Sequence, residues 1–373
     1  MKILALNWND LKNPYGGGAE VHLEELLRRL VKYGHQVTLF CSGFKNCAAE
    51  EVVEGIQIIR RGNRYNFNLI APFYLRRIIK ENDFDMLIED INKIPFYTPL
   101  YLNINTLVVV PHLFATTVFH ELNFILASYI YFSEIPFTWV YGRSKFNVIS
   151  ESTADDLVNR GIPRNNIAVT YCGIDREVYK YDSSVSKYEQ PTILYLGRIK
   201  KYKSIQHLIL AFKKVKDKIS DARLMIVGAG DYIEALKKLA DSLELSDSID
   251  FAGFVSQSEK VERMRRSHLA VLPSIREGWG LTNIECNSVG TTVVAADSPG
   301  LRDSVKNGET GLLYPYGDIE AMVESIMKIL SNTGYRQKLE KSALEWAEEF
   351  NWDSAAKEFE KQLIELRRAA IDK

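Results

Sequence analysis

Two carboxylates, Glu277 and Glu285, stand with seven residues between them in Arg276-Glu-Gly-Trp-Gly-Leu-Thr-Asn-Ile-Glu285. The apolar run Leu269 to Leu272 just before them predicts a buried strand of a parallel sheet. A polar, Gly-rich turn follows, and a helix is expected to open near Leu281 or Thr282. The unpaired N–H groups of a first helical turn form an anion site, so acids on either side would flank whatever anion binds. A ligand with phosphate in the middle and hydroxyl groups at both ends, such as a nucleotide sugar, suits that layout. The plain alternative is a pair of acids favoured by the helix dipole. Gly278 and Gly280 around Trp279 argue for close backbone approach to a ligand.

Phosphate needs cations. Gly197-Arg198-Ile-Lys200-Lys201-Tyr-Lys203 carries four of them in six residues, at the carboxyl end of a predicted strand from Thr192. Such a loop could hold a diphosphate by charge-assisted hydrogen bonds, although Lys200 and Lys201 also fit a solvated charge run. Leu107-Val-Val-Val-Pro-His112 puts a histidine directly after a buried strand, on the face where open α/β sheets bind ligands. His120 and Glu121 have weaker claims. The loop Pro14-Tyr-Gly16-Gly17-Gly18 follows the strand Ile3 to Leu6, and its three glycines would let backbone come close to a bound group.

Two familiar chemistries fail on the residues. Gly16-Gly17-Gly18 is not G-x-G-x-x-G, and the second strand ends in Cys41-Ser-Gly with no acid for a ribose. Gly228-Ala-Gly230-Asp231 lacks the third glycine, since Ile233 stands in its place. A nicotinamide dehydrogenase is therefore not expected. Asp83-Phe-Asp85 has D-x-D spacing but immediately precedes a strand, where acids are turn residues. No metal site is predicted.

These residues need elements to position them. Strands are expected at Gln36 to Cys41, Ile56 to Arg60, Met86 to Glu89, Phe146 to Ile149 and Ile167 to Val169, with helices between several of them. This βαβ opening predicts a doubly wound α/β domain. The stretch Arg176 to Gln190 loses its apolar period and reads as a linker. A second α/β domain runs on through strands at Arg223 to Val227, Thr292 to Ala296 and Gly311 to Tyr314. Boundaries are set at 1–183, 184–352 and 353–373, the last an amphipathic helix with Ala356, Phe359, Leu363 and Leu366 on one face. A length of 373 residues fits two domains.

Net charge of −1 gives no support for a nucleic-acid partner. The four cysteines lie far apart without CxxC spacing and read as reduced thiols of a cytoplasmic protein. The N-terminal apolar run is too short for a signal peptide. Leu122 to Phe132, the longest apolar-aromatic run, has eleven residues, short of the ~20 that span a bilayer. Tyr65 to Lys80 mixes aromatics with Arg64, Arg76, Arg77 and Lys80. Read as a helix from Pro72, it is apolar on one side and basic on the other, and leaves open a peripheral contact at the inner membrane face.

Taken together, Tyr195-Leu-Gly-Arg-Ile-Lys-Lys-Tyr-Lys203, Arg276 to Glu285 and Asn307-Gly-Glu-Thr-Gly-Leu-Leu313 resemble the retaining glycosyltransferases of family 4 (glycosyl transferases group 1), with the GT-B fold. The resemblance runs from Gly16 to the final helix. It implies transfer of a hexose from a nucleotide-diphosphate sugar to a glycan, lipid-linked or small-molecule acceptor, with no metal and no cofactor beyond the donor. It implies that Arg198 and Lys203 grip the diphosphate, that Glu285 takes the ribose hydroxyls, and that Glu277 takes hydroxyls of the transferred sugar. Gly280, Leu281 and Thr282 would give backbone contacts. Gly16, Gly17 and Gly18 would close on the donor from the other domain, with His112 facing the sugar. Gly197, Gly228, Gly230, Phe254, Val255, Gly278 and Trp279 complete the implied donor site. Trp279 stands where Phe is frequent and Thr292 where Pro is frequent. The resemblance also implies a last helix that crosses back to the first domain. Alternatives from other classes are a non-catalytic GT-B subunit that binds a nucleotide sugar and regulates a partner, and a sugar-nucleotide epimerase.

Overall fold

The structure, a computed structural model, describes residues 1–113, 118–119 and 124–371. The chain divides into two units: Met1–Gly173 with Trp352–Lys373, and Ile174–Asn351.

In the first unit, eight strands form one sheet: β1 (Lys2–Leu6), β2 (Gln36–Ser42), β3 (Glu50–Val53), β4 (Ile56–Arg61), β5 (Met86–Asp90), β6 (Thr106–Val110), β7 (Lys145–Val148) and β8 (Ile167–Val169). Their order is β3-β4-β2-β1-β5-β6-β7-β8. All pairs are parallel except β3 with β4. The β3 strand has no clear sequence signal of its own. Glu54 and Gly55 both have positive φ, at 50° and 83°, which is the two-residue turn that folds β3 back on β4.

The helices of this unit are α1 (Gly18–Lys32), α2 (Phe67–Glu81), α3 (Phe124–Glu134), α4 (Phe137–Tyr141) and α5 (Glu151–Asn159). On α1, Leu23, Leu26, Leu27 and Leu30 share the helical spacing and are fully buried, each contributing roughly 1.5–3 kcal/mol. Gly34, in the left-handed region at φ +89°, ends it. The C-terminal helix, Trp352–Ile371, packs on α1. Arg29 Nε meets Asp353 Oδ1 at 2.6 Å, and His35 Nε2 meets Glu360 Oε1 at 2.7 Å.

The second unit holds β9 (Thr192–Leu196), β10 (Arg223–Val227), β11 (Ile249–Gly253), β12 (Leu269–Leu272), β13 (Val293–Asp297) and β14 (Gly311–Pro315). All are parallel, in the order β11-β10-β9-β12-β13-β14. Its helices are α6 (Ile205–Lys218), α7 (Ile233–Ser242), α8 (Gln257–Arg266), α9 (Leu281–Ser288), α10 (Ile319–Leu330) and α11 (Thr333–Ala347). Ser256 caps α8 by accepting from the Glu259 N–H at 3.2 Å. Helix α5 is likewise capped by Ser150, which accepts from the Thr153 N–H at 3.2 Å.

The stretch read as a linker belongs to the second unit, so the boundary falls at Gly173 and Ile174 instead of 183 and 184. Tyr179 is 8% exposed and joins the core of that unit, which outweighs the polar sequence around it.

Helix α2 also differs from its expected outline. It begins at Phe67, and Pro72 lies inside it. Phe67, Ala71, Leu75 and Ile78 are buried at helical spacing, yet the opposite face still carries Leu69 and Phe73. The outer face is therefore apolar in its first half and basic in its second.

Candidate donor site and family assignment

Strand order fixes where ligands can bind. In the second unit the chain builds outward from β9 through β10 to β11, then returns to lay β12 on the other side of β9. Loops leaving β9 and β12 therefore diverge, and the crevice between their carboxyl ends is the topological switch point. The loop after β9 is 197–204, carrying Arg198 and Lys203. The loop after β12 is 273–280, carrying Glu277.

Hydrogen bonds tie these loops to each other and to the loop after β13. The Ile275 N–H donates to Tyr202 O at 3.2 Å, and Glu277 N–H donates to Pro299 O at 3.0 Å. Ser298 Oγ donates to Ser274 O at 2.8 Å. Gly300, at φ +79°, passes so close to the second loop that a Cβ would sit 2.2 Å from Glu277 O.

Within this frame Lys203 Nζ donates to Glu277 Oε1. Burial alone would raise the Glu277 carboxyl, but Lys203, with Ser274 and Arg198, holds it below its ordinary value. Burial alone would lower Lys203; the Glu277 charge and Tyr202 hold it above its ordinary value. Both groups are ionised at neutral pH. Arg198 is exposed beside them, its Nη2 3.5 Å from Tyr202 Oη. Lys200 turns instead to Asp231, 2.6 Å away at the surface.

Helix α9 starts beside this pair. Its N-cap is Gly280 at φ +71°, with no side-chain cap. Leu281 and Thr282 are its first two residues, so their N–H groups are among the donors a helix leaves unpaired. Glu285, a turn further on and 7% exposed, accepts from Lys260 Nζ at 2.9 Å. Lys260 also reaches Tyr179 Oη at 2.7 Å. Burial and then the Glu285 charge push the Tyr179 phenol up to about 12. Burial opposes the charge on Lys260, and Glu285 restores it.

The first unit has its own switch point, between β1 and β5. Gly16, Gly17 and Gly18 lie on the loop after β1. Gly17 is the N-cap of α1, and its N–H donates to Glu20 Oε2 at 2.7 Å. Glu20 is buried, accepts from Asn9 Nδ2 at 2.9 Å and Asn92 Nδ2 at 3.3 Å, and lies 3.5 Å from Lys93 Nζ. His112 follows β6, half-buried, one strand away from that point. His120 and Glu121 lie outside the described residues.

A family model for "Glycosyltransferase Family 4" matches residues 16–178, and a model for "Glycosyl transferases group 1" matches residues 180–346. The chain belongs to glycosyltransferase family 4. An uncharacterized glycosyltransferase of Methanocaldococcus jannaschii is 26% identical over 234 residues, 58% of this chain and 59% of that protein. The chain spans about half the length of the curated relatives it matches. Among solved structures, sucrose-phosphate synthase of Thermosynechococcus elongatus superimposes with a TM-score of 0.84 at 20% identity, covering 99% of this chain and 100% of that one. HepE of Anabaena in complex with UDP and glucose superimposes at 0.78 with 17% identity, covering 98% and 100%. The fold is GT-B, two α/β units each built on a largely parallel sheet.

In this family-4 chain, several residues expected at the donor have another structural reason to be there. A Cβ on Gly228 would sit 1.9 Å from Gly197 O, and one on Gly230 would sit 2.0 Å from Ile199 O. These glycines let the β9 and β10 loops pack, which their sequence motif did not distinguish from ligand approach. Trp279 is 3% exposed with its ring 5.2 Å from Phe350, so its side chain packs inside the second unit. Phe254 stands 90% exposed at the end of edge strand β11, two strands from the switch point, with Val255 packing on the core beside it. Gly197 and Gly278 stay half-buried in the two switch-point loops. Sequence reading missed Lys260, Tyr179, Glu20 and Lys93. Only the capping spacing Gly17 to Glu20 carried a signal for any of them.

Proposed function

We propose that the protein is a retaining hexosyltransferase that moves a sugar from a nucleoside-diphosphate donor to an acceptor hydroxyl without a metal. The observation that carries this reading is the Lys203–Glu277 pair at the switch point of the second sheet, beside the uncapped start of α9. A cation and an anion held side by side match the two faces of such a donor: phosphate oxygens for Lys203, sugar hydroxyls for Glu277.

Breaking the bond between the anomeric carbon and the diphosphate develops negative charge on the leaving oxygen. With donor bound, Lys203, Arg198 and the N–H groups of Leu281 and Thr282 would supply donors to that charge, and preorganised donors need no rearrangement as it forms. Binding would draw Lys203 toward phosphate while Glu277 accepts from the sugar. Glu285, oriented by Lys260, would accept from the ribose hydroxyls. The complex of HepE with UDP and glucose supports a donor of this class.

The test is a thermal-shift panel of nucleoside diphosphates and their sugars, followed by turnover of whichever donor stabilises the protein, since a ligand bound by the native state alone raises Tm. NMR of the product reads the anomeric configuration. Binding of no nucleoside diphosphate would overturn the reading.

A further inference from the structure

Six large apolar side chains of the first unit, Leu69 and Phe73 on α2, Phe124, Ile125 and Phe132 on α3, and Trp139 on α4, are 63% to 80% exposed. Exposed singly, such residues are ordinary; gathered on neighbouring helices they mark an interaction site. Helices α2 and α3 adjoin, because Asn68 Nδ2 donates to Tyr129 Oη at 2.9 Å, and α4 begins directly after α3. The only charged residue on α3 is Glu134, which is buried and lies 3.4 Å from Arg160 Nη2. The exposed side chains of α3 are thus all apolar or aromatic, with Ser128 and Ser133 half-buried between them.

Charge surrounds this patch on one side. Between Arg64 and Glu81 stand Arg64, Arg76, Arg77 and Lys80, all exposed, against the single acid Glu81, which pairs with Arg77 at 2.7 Å. In a chain whose net charge is −1, that cluster is a local surplus. An 11-residue helix is about 16 Å long, and no helix among the described residues is long and apolar enough to cross a membrane.

We propose that α2, α3 and α4 form a docking face for an anionic lipid bilayer, with the apolar side chains seated at the headgroup boundary and the cations of α2 on lipid phosphates. Aromatic residues such as Trp139 favour that boundary, where a ring can be part apolar and part wet. Apolar contact and charge act together, as reversible surface attachment requires two weak signals. The cations favour this occupant over a second copy of the chain, whose own face would bring like charges together. The proposal goes beyond the transferase reading and does not depend on it, since no residue of the donor site is involved.

Co-sedimentation of the whole protein with vesicles tests it, using phosphatidylcholine alone and phosphatidylcholine containing phosphatidylglycerol. The wild type is expected to pellet with the anionic vesicles and to be released as salt rises. Arg76→Glu with Arg77→Glu should weaken anionic binding by about tenfold or more and leave neutral vesicles unaffected. Ile125→Glu with Phe132→Glu should weaken both by about tenfold or more. These positions are exposed, and unchanged thermal melting and donor turnover will confirm that the variants fold. No pelleting of wild type at low salt, or pelleting untouched by the α3 substitutions, would overturn the proposal. So would a dimer in solution that the α3 substitutions convert to monomer without any vesicle binding.

Discussion

Lys203 and Glu277 are ion partners, drawn from the loops after β9 and β12, with side chains only 13% and 19% exposed. Each stabilises the charged form of the other against burial. The pair therefore keeps a cation and an anion side by side, both largely shielded from solvent. Under the proposed function, a phosphate oxygen would replace the carboxylate on Lys203 and sugar hydroxyls would replace the ammonium on Glu277.

Breaking the pair from one side should cost more than removing it. Lys203→Met leaves the Glu277 carboxylate without its cation, a loss of about 3–5 kcal/mol. Adding Glu277→Gln should recover most of that stability while transfer stays abolished. Urea denaturation of both variants, followed by turnover, separates the two effects. Equal stability of the single and double variants would contradict the coupling.

The glycines should divide into two groups. Gly228→Ala and Gly230→Ala force a methyl onto a carbonyl oxygen and should destabilise the second unit by several kcal/mol, on the order of severe core strain. At Gly18 nothing lies within 4 Å of an added Cβ, so Gly18→Ala should leave Tm level or raised. The role that the family resemblance implies for this loop predicts that the same variant loses turnover. Calorimetry and kinetics on the three proteins check both halves.

Lys260 orients Glu285 and has no other assigned contact with donor. Lys260→Met should raise KM for the nucleotide sugar by roughly tenfold, the value of one charge-assisted hydrogen bond, with a smaller change in kcat. A purely structural role would lower Tm and leave KM unchanged.

Stability of the first unit should carry the titration of Glu24. Burial lifts this carboxyl from 4.5 to about 7, opposed by the Leu11 N–H it accepts from. The folded state thus binds the proton more tightly than the unfolded state. Its contribution is fully present below the unfolded pKa and is lost as pH rises toward 7, in total on the order of 3 kcal/mol. Glu24→Gln removes that slope and keeps an acceptor for Leu11. Its stability relative to wild type should rise from pH 5 to pH 8, as read by denaturant titration.

Much of this arrangement was legible because local signals agreed. Apolar runs such as Leu269 to Leu272 fell on buried strands, and the spacing of Glu277 and Glu285 did bracket a helix start. What escaped was set by tertiary partners. Nothing local to Lys260 announces Glu285, and nothing in Gly228-Ala-Gly230 tells a ligand from the neighbouring Gly197 carbonyl. Tyr179 sat in a polar stretch whose composition hid its burial. Helix α2 looked amphipathic by pattern, but Leu69 and Phe73 are on its open side, because its buried stripe runs through Phe67, Ala71, Leu75 and Ile78.

The central claim rests on Lys203 acting on the leaving diphosphate. Its most direct test is release of nucleoside diphosphate from the stabilising donor by wild type and by Lys203→Met with Glu277→Gln, at matched folded fraction. The expected result is a loss of about a hundredfold or more in kcat/KM for the variant. Turnover within a few-fold of wild type would contradict the account.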